Sequence, residues 1–330
     1  MKSVVLGGGS WGTALALLLH RKGVPVTLWT RREERVREIR ERRENTPYLP
    51  GVPIPEDLPI TSDWDESLSG AEAVVIAVPS RAVGGIAERL GGGGRPARLY
   101  LVTSKGFDRE GGRILSAVAA EHLPRKTVAV LAGPSHAEEV ARRIPTTVVA
   151  AAPESGAARA AQELFQEERF RVYTNDDWIG VETAVALKNV IALAAGICDG
   201  LGFGDNTKGA LLTRGLAEIT RLGVALGARR ETFAGLAGMG DLITTSISRH
   251  SRNRRFGEEI ARGKKVEEIE REMVMVAEGV STTPIAARLA RDHGVETPIT
   301  AETERVLFDG KDPIEAIEDL MARDPKAENW

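Results

Sequence analysis

Cysteine is nearly missing from this chain: Cys198 is the only one in 330 residues. That excludes a disulfide framework and a thiolate metal cluster, and it fits a reducing compartment. Positive charge is not in excess. The formal net charge is −3, which argues against a general nucleic-acid binder and leaves any anion recognition to local clusters. His20, His122, His136, His250 and His293 are scattered without ligand spacing. There is no H-E-x-x-H, no G-x-x-x-x-G-K-[ST] and no paired-cysteine motif, so no metal is expected. The longest apolar stretch, residues 183–198, contains Lys188 and Asn189. It is shorter than the roughly 20 apolar residues of a membrane span, so it reads as a buried helix and no membrane insertion is expected. No signal peptide is visible at the start, and the expected location is cytoplasmic. Length suffices for two domains, and hydrophobic residues at 42% with charged residues at 28% are ordinary for a globular chain.

The most informative segment comes first. Ser3-Val4-Val5-Leu6 reads as a strand, Gly7-Gly8-Gly9-Ser10-Trp11-Gly12 as a turn, residues 11–21 as a helix and Val26-Thr27-Leu28-Trp29 as a second strand. Gly7, Gly9 and Gly12 satisfy G-x-G-x-x-G at a strand-to-helix junction, which is where the pattern has meaning. Gly7 allows the tight turn, Gly9 lets the backbone approach a pyrophosphate and Gly12 lets helix and strand pack closely. The helix N-terminus then favours two phosphates. At the end of the second strand an NAD site usually carries Asp or Glu for the ribose 2′-hydroxyl. Here Arg31 and Arg32 stand in that place. Guanidinium groups suit a 2′-phosphate and adenine stacking, which points to NADP without excluding NAD. The alternative is that both simply open a charged helix.

Further strands are expected at residues 73–78, 99–103, 127–131, 146–150 and 171–173, with helices between them. Several are β-branched runs with little alternation, as in strands covered on both faces. Successive βα units imply an α/β fold with a doubly wound parallel sheet. Residues 45–59 are proline-rich and read as an irregular excursion around Tyr48, either closing over the cofactor or crossing the surface. Residues 91–94 read as a glycine turn. After Asn175-Asp176-Asp177 the patterns are helical, with Asp176 or Asp177 as a cap. A boundary near residue 180 follows, giving domains 1–180 and 181–330 with the site in the cleft between them.

Four segments place polar residues in apolar or glycine-rich surroundings. Lys105, in Thr103-Ser104-Lys105-Gly106, follows a strand's carboxyl end, where ligands sit in open sheets; a surface lysine in a turn is the alternative. In Ala132-Gly133-Pro134-Ser135-His136-Ala137, Gly133 permits close approach. Ser135 either caps a helix over residues 135–143 or binds a substrate oxygen. Lys188 lies inside the apolar helix, where a lysine is costly unless paired or functional. Desolvation lowers its pKa and makes it a usable proton donor or acceptor; snorkelling is the bland alternative. Asp241 follows a glycine turn and is placed to orient Lys188 or bind a hydroxyl. Ser251, Arg252 and Asn253 offer clustered donors for a phosphate, or else form a solvated basic face. Residues 273–276 read as a core strand or packing segment.

Taken together, these motifs resemble the bacterial NAD(P)-dependent glycerol-3-phosphate dehydrogenases along almost the whole chain. The resemblance rests on G-G-G-S-W-G-T-A-L, Y-L-P-G, T-S-K-G, A-G-P-S-H-A, A-L-K-N-V, A-G-x-G-D-L, S-R-N-R-R-F-G and V-A-E-G-V. It implies an N-terminal Rossmann domain and a C-terminal all-α domain. It implies cofactor contacts at Ser10, Trp11, Arg31, Arg32, Tyr48, Lys105, Ala137, Arg252, Val276 and Glu278. Substrate contacts are implied at Lys105, Gly133, Ser135, Lys188, Asp241, Ser251, Arg252 and Asn253, with Lys188 as proton acceptor. The implied reaction is reversible reduction of dihydroxyacetone phosphate to sn-glycerol 3-phosphate for phospholipid synthesis, in a cytoplasmic enzyme that the family arrangement makes a homodimer. The rival readings are a 6-phosphogluconate or 3-hydroxyacid dehydrogenase of similar layout, and a non-catalytic dinucleotide sensor.

Overall fold

The computed structural model describes residues 1–93, 96–325 and 327–328; Gly94, in the expected glycine turn, lies outside them. In chain order the strands are β1 (Ser3–Leu6), β2 (Val26–Trp29), β3 (Glu44–Asn45), β4 (Leu49–Pro53), β5 (Ile60–Thr61), β6 (Ala73–Ile76), β7 (Leu99–Val102), β8 (Val128–Ala132), β9 (Thr146–Ala151) and β10 (Phe170–Asn175). Eight of them form one sheet in the order β10-β9-β8-β7-β6-β1-β2-β5. β1 lies between β2 and β6, with Leu6 opposite Trp29 and Ile76. The chain therefore winds outward from β1 in two directions, and a crevice opens beside the carboxyl ends of β1 and β6.

One expectation needs correction. The sheet is not wholly parallel: β8 and β9 pair antiparallel, while β9 and β10 pair parallel. A parallel pair needs a crossover that returns the chain to the starting end. Between β8 and β9 the chain holds only the five-residue helix Ala137–Ala141, which is too short to run back along the sheet. The next connection contains the eleven-residue helix Ser155–Phe165, and there the pair is parallel.

Side chains alternate between the two faces of the sheet. Val5, Val75, Leu99 and Leu101 face a core shared with Leu15, Leu18 and Leu19 of the helix Ser10–Arg21. Leu6, Ile76, Val102 and Val130 face a second core shared with Val181, Val185 and Ile191 of the central helix Trp178–Gly200. The central helix thus packs on the sheet and on the helices that follow. It is capped by Asp177, whose Oδ1 accepts from the Gly180 N–H at 3.0 Å. Its 23 residues are long and apolar enough to cross a membrane, but 94% of its most apolar window is buried inside the protein. After Asn175 no strand occurs among the described residues.

Smaller readings change too. The proline-rich excursion contains the ribbon β3–β4 and leads into β5, an edge strand paired with β2. Asn45 Nδ2 donates to Gly8 O at 3.0 Å and Thr13 Oγ1 at 2.8 Å, so the ribbon is tied to the glycine turn. Ser135 caps no helix; its hydroxyl donates to Gly133 O at 2.9 Å. Residues 273–276 form no strand, and Val274 is 67% exposed.

Candidate active site

A cleft of about 460 Å³ runs along the carboxyl ends of the central strands, between the sheet and the helical region. The glycine turn forms one end. Gly7 adopts φ +128°, and a Cβ there would lie 2.3 Å from Ala77 O; at Gly12 it would lie 1.8 Å from Gly7 O. At Gly9 a Cβ would meet nothing within 4 Å. Gly7 and Gly12 therefore build the turn from behind, and Gly9 alone of the three lines the cleft. Above Gly9 the turn is open, and Gly9 stands at the N-terminus of the helix Ser10–Arg21. That is the cradle a pyrophosphate requires. Trp11 lines the same end, and its Nε1–H is buried without a protein acceptor.

Arg31 and Arg32 are exposed at the mouth beyond β2, and both line the cleft. Arg32 also precedes the charged helix Glu33–Arg42 without capping it through its side chain, so the two sequence readings coexist. Tyr48 sits in the turn of the β3–β4 ribbon and lines the cleft.

The other end is a buried ionic cluster. Lys188, on the central helix, is 3% exposed, and Asp241 is 2% exposed. Lys188 Nζ lies 3.2 Å from Asp241 Oδ1 and donates to Thr245 Oγ1. Lys105 Nζ donates to Asp241 Oδ2 at 2.7 Å and to Gly133 O at 2.9 Å. One carboxylate thus spaces two ammonium groups. Each ammonium has three N–H donors and has used two, which leaves one apiece. Burial pushes the Lys188 pKa down to about 7; Asp241 opposes the shift, and Lys105 and Arg252 add to it. Burial works to raise Asp241, but the two lysines outweigh it and hold its pKa below the usual range.

The third part comes from the helix Arg252–Ala261. Ser251 caps it, with Oγ accepting from the Arg254 N–H at 3.2 Å, so its O–H remains free to donate. Arg252 is exposed toward the cleft. Asn253 Nδ2 donates to Asn189 Oδ1 at 2.9 Å, and Asn253 Oδ1 accepts from the Gly279 N–H at 2.9 Å. This helix sits close to the central one because of glycine: a Cβ on Gly257 would lie 2.2 Å from Leu193 O, and one on Gly196 would lie 1.9 Å from Arg254 O. Glu278, at the start of the helix Glu278–Asp292, accepts from the Ser80 N–H at 3.0 Å and the Ser80 hydroxyl at 2.6 Å. That contact joins the loop after β6 to the helical region.

Ser10, Ser135, Ala137 and Val276 also line the cleft. Gly133 does not; it serves through its carbonyl on Lys105. Sequence reasoning missed Thr245, which lies four residues after Asp241 and hence on the same helix face. It also missed His136, passed over as a scattered histidine, although it too lines the cleft. No group of His, Cys, Asp and Glu suited to a metal occurs among the described residues.

Comparison with known proteins shows the family. Residues 2–158 match the family described as NAD-dependent glycerol-3-phosphate dehydrogenase N-terminus, and residues 177–318 match its C-terminus. The chain is 52% identical over 328 residues to glycerol-3-phosphate dehydrogenase [NAD(P)+] of Thermoanaerobacter sp. (strain X514), covering 99% of both. It is 51% identical to the protein of that name from Geobacillus thermodenitrificans, covering 98% of this chain and 95% of the relative. The crystal structure of glycerol-3-phosphate dehydrogenase from Coxiella burnetii superposes with a TM-score of 0.93 at 40% identity, covering 97% of this chain and 98% of the other.

Proposed function

The chain belongs to the NAD-dependent glycerol-3-phosphate dehydrogenase family, and from that premise we propose that its cleft interconverts dihydroxyacetone phosphate and sn-glycerol 3-phosphate with NADP(H) or NAD(H). The observation that carries the reading is the sharing of Asp241 by Lys105 and Lys188 in one cleft with the glycine turn and Arg252.

The open cradle at Gly9, with Ser10, Trp11, Arg31, Arg32 and Tyr48, fits a dinucleotide; Ala137, Val276 and Glu278 lie along the same wall. When bound, the nicotinamide supplies or accepts the hydride. Ser251, Arg252 and Asn253 hold the substrate phosphate through charge-assisted donors. The unused N–H groups of Lys105 and Lys188 point the carbonyl oxygen toward themselves and stabilise negative charge as it develops there. In reduction Lys188 gives its proton to that oxygen, breaking an N–H bond and forming an O–H bond. In oxidation neutral Lys188 takes it back. Lys105 is held in place by Asp241 and Gly133. Thr245 fixes the Lys188 head group, and Ser135, beside Gly133, completes the substrate wall. Fixing the phosphate and the carbonyl together supplies the orientational part of the rate.

The same reading places a cofactor domain at residues 1–180 and a substrate domain at 181–330, in a cytoplasmic homodimer that feeds phospholipid synthesis. Light scattering tests the dimer. Reduction of dihydroxyacetone phosphate assayed with NADPH and with NADH tests the reaction; turnover of another phosphorylated ketone or hydroxyacid instead would overturn it.

A further inference from the structure

Asp199 stands in the last turn of the central helix, where the helix dipole disfavours a carboxylate. The mechanism above gives it no task. Two cations from other helices meet it there. Lys208, from the helix Asp205–Ala225, pairs with its Oδ1. Arg254 Nε donates to its Oδ2 at 2.5 Å. The Asp199 side chain is 12% exposed and that of Arg254 23%, so water screens the pair only in part. Glu258 holds the other end of the same guanidinium, with Oε1 2.8 Å from Nη2.

Arg254 belongs to the first turn of the helix that presents the phosphate donors. Its N–H donates to Ser251 Oγ at 3.2 Å, and Arg252 and Asn253 come directly before it. Arg252, two residues away, projects from a different side of the helix and lines the cleft. Phe256 and Ile260 pack with Leu193 and Ile197 and hold the body of this helix. The ion pair therefore acts on the first turn rather than on whether the helix forms. Along the central helix, Asp199 lies about 16 Å beyond Lys188 and on nearly the same face.

We infer that Asp199 is a positioning residue, which through Arg254 holds the phosphate donors in place on the helix that also carries Lys188. The inference rests on the reading of the cleft given above. One carboxylate shared by Lys208 and Arg254 ties three helices to a single point, as Asp241 ties Lys105 to Lys188. The first turn is then fixed before substrate arrives, and an anchor fixed in advance binds its phosphate more tightly.

The test is the split between KM and kcat for dihydroxyacetone phosphate at saturating NADPH. Asp199→Asn keeps the shape and removes the charge. It should raise KM about tenfold, the worth of one charge-assisted hydrogen bond, with kcat nearly unchanged because Lys188 and Asp241 are untouched. Arg254→Gln cuts the same contact from the other side and should give the same split, whether or not Asp199→Asn folds. The double variant should lose little more than either single one. Lys208→Met breaks the network on the side away from the phosphate donors. It should lower resistance to denaturant yet leave KM at the wild-type value. A KM that Lys208→Met raises as much as Asp199→Asn does would overturn the inference while the reaction stands. So would an unchanged KM in Asp199→Asn, or a fall in kcat as large as the rise in KM. A wild-type enzyme that does not reduce dihydroxyacetone phosphate would overturn the reading of the cleft and the inference with it.

Discussion

The Lys188 ammonium lies 3.2 Å from the Asp241 carboxylate, and both side chains are nearly sealed from water. Burial alone would drive the lysine to its neutral form; Asp241 opposes that. The balance puts the proton within reach of exchange near neutral pH, as a group that must both give and take a proton requires.

Activity should therefore depend on pH in opposite senses for the two directions. Reduction needs protonated Lys188, so its kcat should fall as pH rises through about 7. Oxidation needs the neutral amine, so its kcat should rise through the same interval. Asp241→Asn removes the charge that holds the Lys188 pKa up, and should move the reduction limb to lower pH. Rate profiles in both directions check this; a limb that Asp241→Asn leaves in place would separate Asp241 from the titration.

Arg252→Ala should chiefly raise KM for dihydroxyacetone phosphate, because a phosphate anchor contributes mainly to ground-state binding. Loss of a charged hydrogen-bond partner predicts a rise of at least about tenfold. Steady-state kinetics with saturating NADPH measures it, and an unchanged KM would move the anchor elsewhere.

Replacing Arg31 with Asp and Arg32 with Ala should shift preference toward NADH. The new carboxylate can accept from a ribose hydroxyl and repels a 2′-phosphate. The ratio of kcat/KM for the two reduced cofactors is the readout; a constant ratio would mean the ribose is read by other residues.

Gly257→Ala should destabilise the protein by about 1–3 kcal/mol, the usual cost of overfilling a tight contact, because its Cβ would fall 2.2 Å from Leu193 O. Pushing that helix away also displaces Ser251, Arg252 and Asn253, so KM for the phosphate substrate should rise as well. Denaturant unfolding and kinetics on the same variant test the two effects together.

Much of this was legible in the chain. The turn from Gly7 to Gly12 announced itself because its glycines sit between a strand and a helix. Lys188 stood out as a charge inside an apolar helix, and the helical second half followed from its periodicity. What stayed hidden depended on partners distant in sequence. Nothing local in residues 128–151 tells an antiparallel β8–β9 pair from a parallel one. The resemblance implies a substrate contact at Gly133, and only the fold shows that its carbonyl accepts from Lys105. Gly196 and Gly257 carry meaning only once Leu193 and Arg254 lie against them.

Substitution of Lys188 by Ala in the dihydroxyacetone phosphate assay tests the central claim most directly. The proton donor's removal predicts a kcat lower by about 10²–10⁴, with NADPH affinity nearly unchanged. A variant that turns over at close to the wild-type rate would contradict the assignment of proton transfer to Lys188.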